Sequence, residues 1–133
     1  MEMSSKVLIV GGAFSLFYGF LLSLPLTAAR MKAPAASRHL VTAHLSAIIQ
    51  GATLLALASV MTFSDLPERV ETVAVALLVG GAVLFVSGAI VNWRQEIGDH
   101  FAERSIGWRL FAASGPANLV GAATVLVGVL RGL

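Results

Sequence analysis

The chain has 133 residues, of which 57% are hydrophobic and 12% charged, and its formal net charge is +2 at pH 7. This composition and a mean hydropathy of +0.87 exclude an ordinary soluble globular domain. The absence of cysteine excludes disulfides and thiolate sites, and the charge is too small and scattered for a nucleic-acid interface.

Four stretches of the sequence contain no Asp, Glu, Lys or Arg, and each is long enough to cross a bilayer. A transmembrane helix needs about 20 mainly apolar residues. The sequence therefore predicts an all-α fold, an integral membrane four-helix bundle that forms a single domain over residues 1–133. We expect a multi-pass protein of the inner (cell) membrane, with spans at residues 7–28, 38–63, 70–93 and 107–130.

Prolines and small polar residues mark the ends of these spans. Pro25 predicts a bend near the end of the first span, and Ser37 is the predicted N-cap of the second. The third span follows a turn at residues 64–67, and Pro116 lies inside the fourth.

The basic residues are distributed unequally between the two ends of the predicted bundle. Three lie on the side of the termini, Lys6, Arg69 and Arg131, and six lie on the side of the first and third connections, Arg30, Lys32, Arg38, Arg94, Arg104 and Arg109. By the positive-inside rule, both termini are predicted to face outward.

Every span carries a pair of small residues seven positions apart. Such pairs allow close packing of helix backbones in a membrane, either within one bundle or between protomers. The pairs are Gly12 and Gly19, Gly51 and Ala58, Gly81 and Gly88, and Gly121 and Gly128.

Strong polar side chains are few within the spans, and polar groups in lipid are costly enough to suggest function. They are Tyr18, His44, Gln50, Asn92 and Asn118. The topology places three of them, His44, Asn92 and Asn118, in the half of the membrane nearer the first and third connections. We expect a polar pocket there, opening toward the loop that contains His100; hydrogen bonding between helices is the alternative for each side chain.

His44 is the strongest candidate for a ligand, because a neutral imidazole binds haem iron or zinc. Zinc is disfavoured, since no H-x-x-x-H pair or carboxylate partner occurs on the same helix. We expect His39 and His100 to be solvated residues at the membrane interface.

The segment AHLSAIIQG at residues 43–51, followed by Val91-Asn92-Trp93, resembles the hydroxylaminobenzene mutase and styrene oxide isomerase superfamily. Those are small four-span membrane proteins whose second helix has a similar His, then an amide residue and a Gly at this spacing. Their third helix carries a similar Ala-Asn pair. The likeness covers nearly the whole chain in length and span order.

The resemblance implies a b-type haem bound within a homo-oligomer, with a trimer favoured. His44 would be the axial ligand, and ferric iron would act as a Lewis acid. Gln50 and Asn92 would be the catalytic amides that orient the substrate. We also expect Asn118 and Tyr18 to contribute to the cofactor site.

Two departures distinguish between the branches of that superfamily. The amide is Gln50 where the family has Asn, and Gly88 and Glu96 stand where epoxide isomerases have an acidic residue and a tyrosine. These differences favour the mutase branch, in which an arylhydroxylamine such as hydroxylaminobenzene, drawn from the lipid phase, rearranges to a 2-aminophenol. Epoxide-to-aldehyde isomerisation is the alternative.

Two functions of other classes are also compatible with the sequence. A haem-binding electron carrier or sensor would normally need two axial ligands, and the spans offer only His44 with Met61 or Tyr18. A cofactor-free structural or small-transporter subunit would use the five polar residues to link helices. Inverted repeats and buried charges, which are typical of transporters, are not evident in the sequence.

Overall fold

A computed structural model describes residues 2–133 and confirms the all-α fold; Met1, the first residue of the predicted domain, lies outside the described part. Four long helices make up most of the chain, and two short helical segments lie in the connections between them. The helices are α1 (Met3–Lys32), α2 (Arg38–Val60), a 3₁₀ turn (Met61–Phe63), α3 (Glu68–Arg94), α4 (His100–Glu103) and α5 (Ile106–Gly132).

The four predicted spans are confirmed as helices long and apolar enough to cross a membrane. The second keeps its predicted ends, and the other three extend one to four residues beyond theirs, because flanking residues continue the helix. Acidic residues occupy the first turn of α3 and basic residues the last turn of α1, as the helix dipole favours. Pro25 and Pro116 both lie within continuous helix.

The third span is the central element of the bundle. Helix α3 packs against α5, α2 and α1, whereas the main partner of α1 is α2. In the most apolar 18-residue stretch of α3, 44% of the residues are buried, against 17% to 28% in the other spans. Much of the apolar surface of α1, α2 and α5 therefore faces outward.

Buried apolar side chains form two layers along the bundle. The layer nearer the termini includes Leu8, Leu54, Met61, Val75, Leu78 and Val125, and the layer nearer the other end includes Leu22, Leu40, Ala43, Ala47, Val86 and Ala89.

The small-residue pairs mark the helix contacts, as the sequence predicts. All eight residues of the four pairs are buried. At Gly51 a Cβ atom would lie 2.8 Å from the backbone nitrogen of Leu16 and 2.9 Å from the carbonyl oxygen of Gly12. The α1 and α2 backbones can approach this closely only because residue 51 lacks a side chain.

Polar contacts connect the beginnings of α1 and α3. The Ser4 hydroxyl donates to Oε2 of Glu71 at 3.3 Å, and Glu71 is only 3% exposed. The backbone N–H of Met3 donates to Oε1 of Glu68 at 3.3 Å. A carboxylate in the first turn of a helix is favoured by unpaired backbone N–H groups.

We predict that Gly51→Ala lowers the stability of the detergent-solubilised protein by about 1 to 3 kcal/mol, the usual cost of overpacking a tight contact. The new methyl group meets backbone atoms of α1, so the helices have to separate. Thermal unfolding followed by circular dichroism measures the change.

The matched control is Gly80→Ala, because nothing lies within 4 Å of a Cβ atom at Gly80. That variant should unfold at the wild-type temperature or slightly above it. Equal unfolding temperatures for the two variants would contradict the close α1–α2 contact.

Candidate functional site

His44 lies in the second turn of α2, half-buried against α1. Its Nδ1 atom is 2.8 Å from the backbone carbonyl oxygen of Gly19. A Cβ atom at residue 19 would lie 2.7 Å from Cγ1 of Ile48, so the helices approach this closely only because residue 19 is a glycine. The glycine thus brings the α1 backbone within reach of the imidazole.

The contact with Gly19 fixes the tautomer of His44. A carbonyl oxygen only accepts, so Nδ1 donates its N–H, and Nε2 of the neutral ring keeps a free lone pair. Histidines that bind a metal through one nitrogen commonly donate the other N–H to a carbonyl or carboxylate. The ring of His44 therefore has the arrangement of an oriented ligand with Nε2 as its donor atom.

Gln50 lies six residues beyond His44 on α2, which places it roughly 240° further round the helix. The side chain is half-buried. The neighbouring side chains Ser46 and Thr53 each make a hydrogen bond to their own helix. The Gln50 amide makes no hydrogen bond within residues 2–133. Its donor and acceptor groups are therefore free for another molecule.

Asn92 is completely buried between α3 and α5. Its Oδ1 accepts a 2.7 Å hydrogen bond from the hydroxyl of Ser105, while its buried Nδ2 has no partner within residues 2–133. A Cβ atom on Gly107 would overlap the amide, so this glycine makes room for it. The observed contact of Asn92 with Ser105 joins two helices, and a catalytic role stays a prediction.

Asn118 and Tyr18 each have contacts different from those of the three residues described above. The amide of Asn118 lies over Gly81 of α3, in the space that a side chain there would fill. Tyr18 stacks on Phe14 with a ring-centroid distance of 6.4 Å. Both aromatic rings line a groove of about 190 Å³, which also includes Ser15, Ala47, Val83 and Ser87.

The five predicted site residues are not joined within one chain. None of the hydrogen bonds of residues 2–133 links two of them, and the groove beside Tyr18 includes none of the other four. Their roles toward a cofactor stay predictions. Within the same residues, no group of three or more His, Cys, Asp or Glu side chains could hold a metal ion.

The prediction that His39 is solvated is wrong, whereas His100 beside it is only half-buried. His39 is 6% exposed, and its Nε2 donates to the carbonyl oxygen of Ile97 at 2.8 Å. The ring of His100 meets that of His39 edge-on at 5.6 Å between centroids, and its Nδ1 is buried without a partner within residues 2–133.

The reason for the error is the way the chain leaves α3. Glu96 has a left-handed conformation with φ of 54°, and the N–H groups of Glu96 and Ile97 donate to the carbonyls of Trp93 and Asn92. This pattern is a Schellman motif in which Glu96 takes the position usually held by glycine. It turns the loop back over the first turn of α2, so that Ile97 meets His39.

Around these two histidines lies a cleft of about 420 Å³, which the sequence does not predict and which we call the loop-end cleft. Its residues come from the start of α2, from α4 and its N-cap, and from α5. They are Arg38, His39, Thr42, Asp99, His100, Phe101 and Phe111. Asp99 and Glu103 could have suggested an ordered loop, because an Asp N-cap followed closely by Glu is typical of a helix start.

We predict that Ser105→Ala lowers stability by about 1 to 2 kcal/mol, the range for loss of an N-cap. The Ser105 hydroxyl accepts from the backbone N–H of Trp108 and donates to Asn92, so one substitution removes two contacts. Thermal unfolding monitored by tryptophan fluorescence measures the effect.

The control is Ser37→Ala, since Ser37 is also an N-cap but makes no capping hydrogen bond through its side chain. Its effect should stay within about 0.5 kcal/mol. A Ser105 variant as stable as the Ser37 variant would show that the Asn92 contact contributes nothing to the docking of α5.

Comparison with known proteins reveals no relative of this chain. No protein-family model, curated protein or solved structure matches it. Its function must therefore be inferred from its own residues and their arrangement.

Proposed function

We propose that this chain is the subunit of an oligomeric, membrane-embedded isomerase that binds ferric haem b through His44 and rearranges an arylhydroxylamine to a 2-aminophenol. The observation that carries the proposal is the hydrogen bond from Nδ1 of His44 to the carbonyl oxygen of Gly19. It leaves Nε2 as a lone-pair donor on a half-buried ring inside an apolar span.

The chemistry of His44 fits an axial haem ligand. The Gly19 carbonyl holds the ring in one tautomer and increases the basicity of the other nitrogen. Haem ligation needs one such nitrogen for each iron, with a second position open for substrate. One oriented histidine in a span is consistent with this requirement.

The space for a haem would have to come from a second copy of the chain. His44 lines neither the groove beside Tyr18 nor the loop-end cleft, and the groove is smaller than the roughly 300 Å³ at which ligand pockets usually begin. Near the Gly19–His44 contact, Phe20, Leu45 and Ile49 are exposed by 61%, 49% and 62%. A copy packed against this apolar surface would enclose the cofactor between protomers.

Haem iron, when bound, would supply a Lewis acid that polarises the N–O bond of the hydroxylamine. The reaction moves oxygen from nitrogen to the ortho carbon and is an isomerisation, so no external oxidant or reductant is required. Gln50 has a free amide that can donate to the migrating oxygen. Hydroxylaminobenzene is small and apolar enough to reach a site within the spans from lipid.

A cofactor-free membrane subunit is the second candidate. It is favoured by Asn92 and Asn118, because both amides lie against a glycine of the facing helix and serve helix packing in the structure. The absorption spectrum distinguishes the two functions, since only the first predicts a Soret band.

We predict that the protein purified in mild detergent shows a Soret band, that hydroxylaminobenzene perturbs it, and that His44→Ala abolishes haem retention. The variant removes the donor nitrogen while leaving the apolar spans intact. The haem-to-protein ratio is measured by absorbance, and His39→Ala, which removes a different histidine from the same helix, should keep its haem.

Two results would contradict this assignment. Full haem occupancy in the His44 variant would remove His44 as the ligand. A wild-type protein that stays colourless after haem supplementation would leave the cofactor-free subunit as the function.

We further predict that Gln50→Leu retains haem but lowers the rate of 2-aminophenol formation by about 100-fold, as loss of one transition-state hydrogen-bond donor typically does. Product formation is followed by chromatography. The control is Thr53→Val, because the Thr53 hydroxyl donates to its own helix at the carbonyl of Ile49. Wild-type turnover in the Gln50 variant would mean that Gln50 only packs.

A further inference from the structure

The loop-end cleft contains charges of both signs that do not pair with each other. Arg38 and Asp99 both line it. Within residues 2–133 the polar partners of these two side chains are backbone groups, and no ion pair joins them. A cleft with separate positive and negative groups is complementary to a ligand that carries both charges.

Backbone contacts hold the two charged groups in place and leave part of each free. Nη2 of Arg38 donates to the carbonyl oxygen of Gly98 at 3.3 Å, and the rest of the guanidinium has further donors. Oδ1 of Asp99 accepts from the N–H groups of Phe101 and Ala102, which leaves Oδ2 without a partner among residues 2–133. Oε1 of Glu103 accepts from the N–H groups of Gly98 and Asp99.

The remaining walls of the cleft consist of a hydroxyl group and ring side chains. Thr42 contributes a hydroxyl that makes no hydrogen bond within residues 2–133, since only its backbone carbonyl is engaged, by Ser46. His39 is committed to Ile97 and packs with His100, so the two rings form a fixed wall. The cleft is therefore preformed.

The position of the cleft along the bundle indicates where its ligand comes from. Arg38 is the first residue of α2 and so lies where that span meets the headgroup region. Next to it, Phe101 is 70% exposed and Ile106, at the start of α5, is 57% exposed. Exposed apolar side chains beside a charged cleft at the end of a span are suited to the boundary between headgroups and acyl chains.

We infer that the loop-end cleft binds the phosphoethanolamine headgroup of a membrane lipid. Arg38 and the Thr42 hydroxyl donate to the phosphate, and Asp99 accepts from the primary ammonium group. The acyl chains extend past Phe101 into the bilayer. The chemistry required is a phosphate and a hydrogen-bonding ammonium in one molecule.

Other common headgroups match the phosphate-binding groups of the cleft but not Asp99. Phosphatidylglycerol has the same phosphate but ends in a neutral glycerol, so it offers no cation to Asp99. Phosphatidylcholine has a cation, but its trimethylated nitrogen cannot donate a hydrogen bond. The cleft should therefore rank phosphatidylethanolamine above both.

The test is native mass spectrometry of the full chain after incubation with equimolar phosphatidylethanolamine, phosphatidylcholine and phosphatidylglycerol of identical acyl chains. Wild-type protein should retain phosphatidylethanolamine about three- to tenfold more than either competitor, as the net contribution of one solvent-accessible hydrogen bond allows. Asp99→Asn should abolish the preference while keeping the α4 cap. Arg38→Gln should weaken retention of all three lipids.

Matched controls lie at the opposite end of the bundle. Asp65→Asn and Arg131→Gln make the same charge changes at exposed positions near the termini and should keep the wild-type lipid ranking. Equal retention of the three lipids, a preference for phosphatidylglycerol, or an Asp99 variant with the wild-type ranking would each overturn the inference.

Soluble O-phosphoethanolamine distinguishes the lipid from a free ligand with the same chemistry. If the site belongs to a lipid, millimolar O-phosphoethanolamine should displace little of the bound phosphatidylethanolamine, because it lacks the apolar contacts. Displacement at concentrations equal to those of the lipid would support the headgroup chemistry and overturn the lipid as its source. None of these measurements depends on haem, so they are independent of the isomerase proposal.

Discussion

The approach of one helix backbone to another at glycine is the constraint on which the rest of this structure depends. Lipid tails are as apolar as the side chains they meet, so helices in a membrane associate through close contact and polar links. In this chain the close backbone contacts and the polar links between helices occur at the same positions. Three polar side chains each lie against a glycine of the facing helix: His44 against Gly19, Asn92 against Gly107, and Asn118 against Gly81. The geometry of the polar groups is therefore set by small residues.

The parts of the fold that follow from local pattern could be predicted from the sequence. Charge-free length predicts the four spans, and the heptad pairs predict the faces that meet. The partners of the polar side chains could not be predicted, because they depend on the register of helices far apart in the chain. The partner of His44 is a backbone carbonyl, and no residue type in the sequence indicates such a partner. The burial of His39 depends on the left-handed conformation of Glu96, which glutamate rarely adopts.

The chemical groups of the chain are divided between two locations with different surroundings. His44 lies within an apolar span, where a single oriented nitrogen is exceptional and where exposed apolar residues leave room for a second copy. The loop-end cleft lies at the end of the spans, where charges remain solvated and lipid headgroups are available. Because Phe111 of α5 packs against His100, the cleft is also joined to the helix that carries Asn118. The same short chain thus carries the histidine of the proposed haem site and the cleft of the proposed lipid site in separate places.

The buried contact between Ser4 and Glu71 has a consequence for how the protein is made. The two residues are 67 positions apart, and Glu71 lies in the first turn of α3. During synthesis the first helix therefore enters the membrane long before its polar partner exists. Until the ribosome has produced α3, Ser4 lacks this partner, and the start of α1 packs only against α2 and lipid. When the third helix arrives it closes on α1 and α2, and α5 then packs against α3 to complete the bundle.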